Sequence, residues 1–184
     1  MKTVYRLTTD IDNYQYFLTE PAKDMDKFDA DCRRKGKSWM PPKVFVYEPH
    51  LLRGDFFNTI SAYLITSPKA TKVLKSYLED AGEILSLPFE GDTFGFINVL
   101  RCYDCLDKSK TTWRESGLPQ SYVFDFEKLP YPGIFKIPST HTGETLLLVD
   151  SNAPESDNFI RAVQKAELKS LNFELIWEEK KNTE

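Results

Sequence analysis

Two cysteines in the stretch NVLRCYDCLD, Cys102 and Cys105, are the residues whose spacing most directly suggests chemistry. A C-x-x-C pair is typical of a redox dithiol or of half a zinc site. A redox dithiol places its first cysteine at a helix N-terminus, where the helix dipole favours the thiolate. Here the preceding residues, TFGFINVL, predict a strand, and the neighbouring Asp104 and Asp107 disfavour a thiolate. The sequence therefore disfavours a redox dithiol.

The sequence does not contain the clustered ligands that a zinc site requires. A second C-x-x-C is absent, and the other candidates, Cys32, His50 and His141, are scattered singly along the chain. We therefore interpret Cys102 or Cys105 as a small buried apolar residue. The alternative is a small metal- or thiol-dependent enzyme that uses Cys102, Cys105, His141 and nearby acids.

The sequence contains no other motif that would assemble a catalytic site. There is no phosphate-binding loop and no G-x-S-x-G motif. Ser139, Thr140 and His141 are adjacent, but triad members must meet in space rather than in sequence. Asp104 and Asp107 are expected to cap turns, because aspartate bonds backbone N–H groups there. We therefore predict no enzyme, no catalytic residue, no cofactor and no metal.

Composition narrows the class of protein further. The chain has 184 residues, 41% of them hydrophobic and 14% aromatic, which is enough for a core without metal or disulfide. Its net charge of -4 disfavours a nucleic-acid binder and favours a basic protein partner. No apolar run is long enough to span a membrane, and the start does not resemble a signal peptide. With an odd cysteine count, this predicts a cytoplasmic protein.

The sequence patterns predict the helices and strands that would position these residues. Together these elements indicate an α+β fold, a mostly antiparallel sheet with two main helices packed on it. Residues 67–82 form the clearer helix, with Ser67 as N-cap, Pro68 at the first position and Gly82 at the end. Residues 153–168 predict the second helix. Strands are predicted in KTVYRLTT, NYQYFL, VFVYE, TISAYLIT, EILSLPF, TFGFINVLRCY, SYVFDFEKL, GIFKI, ETLLLVD and LNFELIW, with the apolar ETLLLVD central in its sheet.

One segment, residues 19–43, has no apolar periodicity and predicts a long exposed loop or hinge. An acidic run is followed directly by a basic one, and Pro41-Pro42 ends the segment. Such a loop favours recognition of a basic protein. Two tryptophans in polar surroundings are plausible interface anchors. The candidate partner-binding residues are therefore Asp24, Asp26, Asp29, Asp31, Trp39 and Trp113.

The second half of the chain resembles an α+β immunity protein family of bacterial polymorphic toxin and contact- or secretion-dependent competition systems. The resemblance lies in INVLRCYDCLDKSKT, YVFDFEKLPYPGIFKIP and ETLLLVDSNAPESDNFIRAVQKAELKSLNFELIWE, in that order. It covers residues 97–178, with weaker agreement from about residue 55, and it excludes the first 50 residues. It implies an N-terminal part at 1–50 packed on an immunity-like domain at 51–184.

The resemblance also implies a function. Members of such families bind and neutralise a cognate toxin or effector domain made by the same cell, often a basic nuclease, and have no catalytic residues to carry over. It further implies that DCLD is a strand-to-loop junction whose cysteine, Cys105, is a packing residue. We therefore expect a protein partner, with no direct nucleic-acid binding and no membrane association. The toxin, the binding surface and the oligomeric state stay open.

Overall fold

The structure, a computed structural model, describes residues 2–28, 32–59, 63–138, 146–151 and 158–179. The strands within these residues are β1 (Lys2–Thr9), β2 (Tyr16–Thr19), β3 (Val44–Tyr47), β4 (Phe56–Phe57), β5 (Leu64–Thr66), β6 (Gly82–Phe89), β7 (Asp92–Val99), β8 (Thr112–Trp113), β9 (Pro119–Ser121), β10 (Gly133–Lys136), β11 (Leu146–Ser151) and β12 (Leu171–Glu178). The α-helices are α1 (Pro68–Val73), α2 (Lys75–Ala81) and α3 (Phe159–Lys165). Short 3-10 helices lie at Ala22–Lys27, Gly36–Ser38 and Phe126–Lys128.

The strands form two four-stranded sheets. The first sheet has the order β10-β11-β1-β12 and the second the order β4-β5-β7-β6. All pairings within both sheets are antiparallel. Two-stranded ribbons, β2-β3 and β8-β9, lie outside them. The predicted α+β class with mostly antiparallel sheets and two main helical regions is confirmed, and so is the interior position of β11.

The helices pack in a first core cluster that includes residues of both four-stranded sheets. Ser67 caps α1 by accepting a hydrogen bond from the Ala70 N–H at 3.1 Å, and Pro68 occupies its first turn, as predicted. The single predicted helix over 67–82 is wrong at Leu74, whose φ of -99° and ψ of 12° separate α1 from α2. Leu74 and Leu78 are nevertheless fully buried, so both helices keep the predicted apolar face.

Each four-stranded sheet buries its second face as well, the second sheet against the β2-β3 ribbon and residues 25–39, and the first sheet largely against irregular chain. The outer face of the second sheet carries Phe94 and Phe96, which pack in a second core cluster with Phe17 and Phe28. The outer face of the first sheet carries Leu147 and packs in a third core cluster with residues from the segment that follows β7. Because both faces are buried, strands such as LLLV read as continuous apolar runs rather than alternating ones.

Three predicted strands are shorter or absent. TFGFINVLRCY ends as β7 at Val99, because the N–H groups of Leu100 and Arg101 both bond the Ala81 carbonyl. SYVFDFEKL contributes only Ser121 to a strand, β9, and the Asp125 carboxylate accepts from the Glu127 N–H at 3.2 Å and starts a 3-10 helix. TISAYLIT contributes only β5, and its residues 60–62 lie outside the described residues.

The second predicted helix begins later than expected. Asn158 caps α3 by accepting from the Arg161 N–H at 3.1 Å, and residues 153–157 lie outside the described part of the chain. No helix among the described residues has both the length and the apolar content to cross a membrane.

Candidate functional site

The β2-β3 ribbon presents one apolar face to the core and another to solvent. Phe17 and Val44 point inward into the second core cluster. Because side chains alternate along a strand, their neighbours point outward. The outward residues form two direct cross-strand pairs, Tyr16 with Tyr47 and Leu18 with Phe45. We call these four residues the aromatic face.

The aromatic face is partly solvent-exposed although its residues are large and apolar. Phe45 and Tyr47 are each 41% exposed, and Tyr16 and Leu18 are half-buried. The rings of Tyr16 and Tyr47 lie 5.2 Å apart between centroids, tilted by 46°. Desolvation and the neighbouring Tyr47 raise the pKa of Tyr16. A patch of packed aromatic side chains open to solvent is characteristic of the centre of a protein interface.

Charged residues border this face. Lys43 donates a 2.6 Å hydrogen bond to the Glu20 carboxylate across the end of the ribbon, and this bond lowers the pKa of Glu20. At the other end, His50 Nδ1 lies 3.3 Å from the Glu48 carboxylate. An apolar centre with a charged rim is the arrangement that protein interfaces use to combine burial with orientation.

Two of the predicted acidic residues, Asp24 and Asp26, lie on the 3-10 helix that follows β2. The 3-10 helix Ala22–Lys27 packs on β2, where the Thr19 hydroxyl donates to the Ala22 carbonyl at 3.3 Å. On this helix the Asp24 carboxylate pairs with Lys27 at 2.7 Å, and Asp26 is exposed. Asp29 and Asp31 lie outside the described residues. Asp24 and Asp26 thus lie on a short helix after β2 whose Met25 packs against the second core cluster.

The basic half of the predicted loop is anchored to the second sheet through Glu83. The Glu83 carboxylate accepts from the backbone N–H groups of Lys35 at 2.9 Å and of Gly36 at 3.2 Å. Asn98 donates to the same carboxylate at 2.8 Å and to the Arg33 carbonyl at 2.9 Å. Residues 33–36 are therefore held on β6 and β7, although Arg33 and Arg34 are exposed.

The two candidate tryptophans lie in different places. Trp39 stacks on Phe96 with centroids 5.2 Å apart, and its Nε1 donates to the Ser86 carbonyl at 2.7 Å. Trp113 packs against the third core cluster on the other sheet. Neither tryptophan is fully exposed, and the two do not share a surface.

The prediction of an exposed loop over 19–43 therefore holds for charged residues such as Lys23, Asp26 and Lys37 and is wrong for Phe28 and Trp39. Phe28 is fully buried and Trp39 is half-buried. The physical reason is that the outer face of the second sheet is aromatic and must be covered. Because Phe28 and Trp39 are surrounded by charged residues in the sequence, the local pattern did not predict that these two side chains are buried or half-buried.

The cysteines pair differently from the C-x-x-C expectation. Cys102 forms a disulfide with Cys32, with Sγ atoms 2.11 Å and Cα atoms 6.0 Å apart. The interpretation of Cys102 as a free packing residue is therefore wrong. Cys105 is fully buried in the third core cluster, and burial raises the pKa of its thiol to about 12. The packing role of Cys105 in DCLD is confirmed.

The residues of the alternative enzyme are not assembled in the described structure. Cys102 has no free thiol, Cys105 is buried and protonated, and His141 lies outside the described residues. Among the residues that the structure describes, no three His, Cys, Asp or Glu side chains are close enough to hold a metal ion.

Of the two aspartates near the C-x-x-C, Asp107 stabilises a turn, as predicted, whereas Asp104 forms an ion pair. The Asp107 carboxylate accepts from the Ser109 hydroxyl at 2.6 Å and from its N–H at 3.1 Å. The hydroxyl bond, with help from Lys110, lowers the pKa of Asp107 to about 2. Asp104 pairs with Lys108 at 2.9 Å. These carboxylates are therefore already partnered within the chain.

Comparison with known proteins identifies no relative. No family model matches the chain, and no curated protein matches it. The resemblance to immunity proteins consequently stays a prediction from the residues quoted above.

Sequence reasoning missed the aromatic face. The available signal was that YQYFL and VFVY place apolar residues at consecutive positions of two short strands. A strand that is apolar on both sides has either two buried faces or one exposed apolar face.

Proposed function

We propose that this chain is an immunity protein that binds a cognate bacterial toxin and neutralises it by covering its active or substrate site. The observation that supports the proposal most directly is the aromatic face of the β2-β3 ribbon. The rings of Tyr16 and Tyr47 already pack against one another. Aromatic side chains ordered in this way lose little conformational entropy when a partner covers them. Their exposure is thus easier to explain by a protein partner than by folding.

Charge favours a basic partner. The chain carries a net charge of -4, and the exposed Asp26 lies on the 3-10 helix that packs on β2, one of the two strands of the ribbon that carries the aromatic face. A negative rim steers a basic protein into the right orientation and raises its rate of association. A basic nuclease domain has this property, because it must bind a phosphate backbone.

The proposed mode of action is steric, with no chemistry on the toxin. A rigid inhibitor fits this role, because it loses little conformational entropy when it binds. Both four-stranded sheets are covered on both faces by the rest of the chain, which provides such a scaffold.

We place this function in the cytoplasm, where a toxin that enters the cell would act. Cytoplasmic thiols are largely reduced. The fold must then hold its charged segment without the disulfide, and the contacts of Phe28, Trp39 and Glu83 provide that support.

The proposal is tested with the purified toxin domain encoded beside this chain. The double variant Phe45→Ser with Tyr47→Ser should weaken binding by at least about tenfold, since central aromatic residues carry most interface energy. The matched control is Leu175→Ser, which changes a 52% exposed apolar residue on β12 of the first sheet. Absence of binding by the wild-type chain would overturn the proposal.

A further inference from the structure

A cavity of about 310 Å³ opens between α2, the start of β10, β11 and α3. This volume is at the lower end of the range of about 300–1,000 Å³ typical of ligand pockets, so it suits a single long side chain. The cavity is separate from the aromatic face, whose residues do not line it. Its lining consists of Ser76, Tyr77, Asp80, Pro132, Gly133, Ile134, Leu148, Val149, Asp150 and Phe159.

The walls of the cavity are apolar and aromatic. Ile134, Leu148 and Phe159 are buried residues of the first core cluster. The rings of Tyr77 and Phe159 meet edge to face, with centroids 5.8 Å apart. Such walls accommodate the methylene groups of an extended side chain, and aromatic rings also attract a cation.

Asp150 gives the cavity a negative charge that the described residues leave uncompensated. Its two carboxylate oxygens accept hydrogen bonds from Asn158 Nδ2 at 3.1 and 2.9 Å. Asn158 is itself fixed as the N-cap of α3. Among the described residues, no Lys or Arg forms an ion pair with Asp150. An amide satisfies the geometry of a carboxylate but does not neutralise its charge.

The second carboxylate of the cavity, Asp80, is paired with Arg101. Arg101 is fixed by two further hydrogen bonds, to the carbonyls of Tyr131 at 2.6 Å and Pro132 at 3.3 Å. A Cβ at position 133 would collide with this guanidinium, so Gly133 permits its approach. The Arg101 guanidinium thus bonds Asp80 and backbone carbonyls. The charge of Asp150 is therefore the one in the cavity that a cationic ligand could pair with.

We infer that this cavity receives an arginine side chain of the toxin, an inference that rests on the proposed function. A guanidinium can bond a carboxylate through two N–H groups and stack on an aromatic ring, whereas a lysine ammonium is a more strongly hydrated point charge. An anionic ligand is disfavoured because both carboxylates line the same cavity. The cavity would then hold an anchoring residue of the interface.

The first test uses n-propylguanidinium as the probe and NMR titration of the full chain as the readout. We expect saturable shifts of the Ile134 and Leu148 methyl signals, and none with neutral n-propylurea. Asp150→Asn keeps the shape of the side chain and removes its charge, and should weaken probe binding by at least about tenfold. The control Asp12→Asn removes an exposed charge elsewhere and should leave binding unchanged.

The second test measures affinity for the toxin domain. Asp150→Asn should lower it by at least about tenfold, and Ser76→Trp should lower it further, because Ser76 is exposed on α2 at the cavity and its replacement would fill the opening. Ser76→Trp also serves if Asp150→Asn fails to fold. An unchanged toxin affinity in folded Asp150→Asn and Ser76→Trp would overturn this inference while the proposed function stands. A wild-type chain that does not bind the toxin would instead overturn the proposed function.

Discussion

Cys32 and Cys102 are joined by a disulfide although 70 residues separate them in the chain. Cys32 belongs to the segment that covers the outer face of the second sheet. Cys102 begins the segment that covers the outer face of the first. The disulfide therefore links the two segments that pack on the outer faces of the two four-stranded sheets.

Removing this disulfide should destabilise the protein without unfolding it. Closing a loop of this length constrains the unfolded chain, so Cys32→Ala with Cys102→Ala should lower the free energy of unfolding by about 2–5 kcal/mol. Guanidinium denaturation under non-reducing conditions measures the difference. The wild type in excess reductant is the control and should match the double variant. Equal stability of the oxidised wild type and the variant would contradict the role of the disulfide.

The three cysteines should react with iodoacetamide in a fixed pattern. At pH 8 the native oxidised protein should take no label, because Cys105 is buried with a pKa near 12 and the other two are bonded. Unfolding without reductant should expose one thiol, and unfolding with reductant should expose three. Intact mass spectrometry distinguishes these states. Rapid labelling of native protein would contradict the burial of Cys105.

The raised pKa of Cys105 also has a consequence for stability. Below pH 9 the thiol is protonated in both the folded and the unfolded state, so it contributes no pH dependence. As the pH rises from 9 to about 12, the unfolded state releases this proton more readily, and stability should fall. In Cys105→Ala this part of the alkaline decline should be absent. Denaturation curves between pH 8 and 10 for both proteins test the difference.

Glu83 should be required to hold residues 33–36 on the second sheet. Glu83→Ala removes an acceptor used by Lys35, Gly36 and Asn98, and hydrogen bonds to a charged group contribute about 1.5–3 kcal/mol. We expect faster trypsin cleavage at the basic residues of this segment. Glu79→Ala, which removes an exposed carboxylate from α2, is the control and should behave as wild type. Equal cleavage of the two variants would refute this anchoring.

The acidic residues on the 3-10 helix Ala22–Lys27 should act on the rate of association. Asp24→Asn with Asp26→Asn should slow binding to a basic toxin by about threefold, with little effect on dissociation. The difference should shrink as salt is raised, since screening removes long-range steering. Surface plasmon resonance at several ionic strengths measures both rates. Equal association rates at low salt would exclude these two aspartates from the binding rim.

Local sequence signals predicted much of the secondary structure. The cap at Ser67, the alternation in β1 and the apolar run of β11 each follow from interactions within a few residues. The predicted ends of strands and helices were wrong where a group from a distant part of the chain forms the deciding hydrogen bond. Strand β7, for example, ends where the Ala81 carbonyl accepts hydrogen bonds from the N–H groups of Leu100 and Arg101.

The candidate site was less predictable, because it depends on contacts between distant segments. Nothing near Cys32 indicates that its partner lies 70 residues later. The burial of Trp39 depends on Phe96, and the outward orientation of Tyr47 depends on which face of the β2-β3 ribbon meets the second sheet. These choices are made by tertiary packing, which local patterns do not specify.

The most direct test of the proposed function is survival of sensitive bacteria that express the toxin domain. Co-expression of the wild-type chain should restore growth, and Phe45→Ser with Tyr47→Ser, produced at the same level, should restore it less. Leu175→Ser should protect as well as the wild type. Killing that is unchanged by the wild-type chain, with no complex in pull-down, would contradict the immunity function.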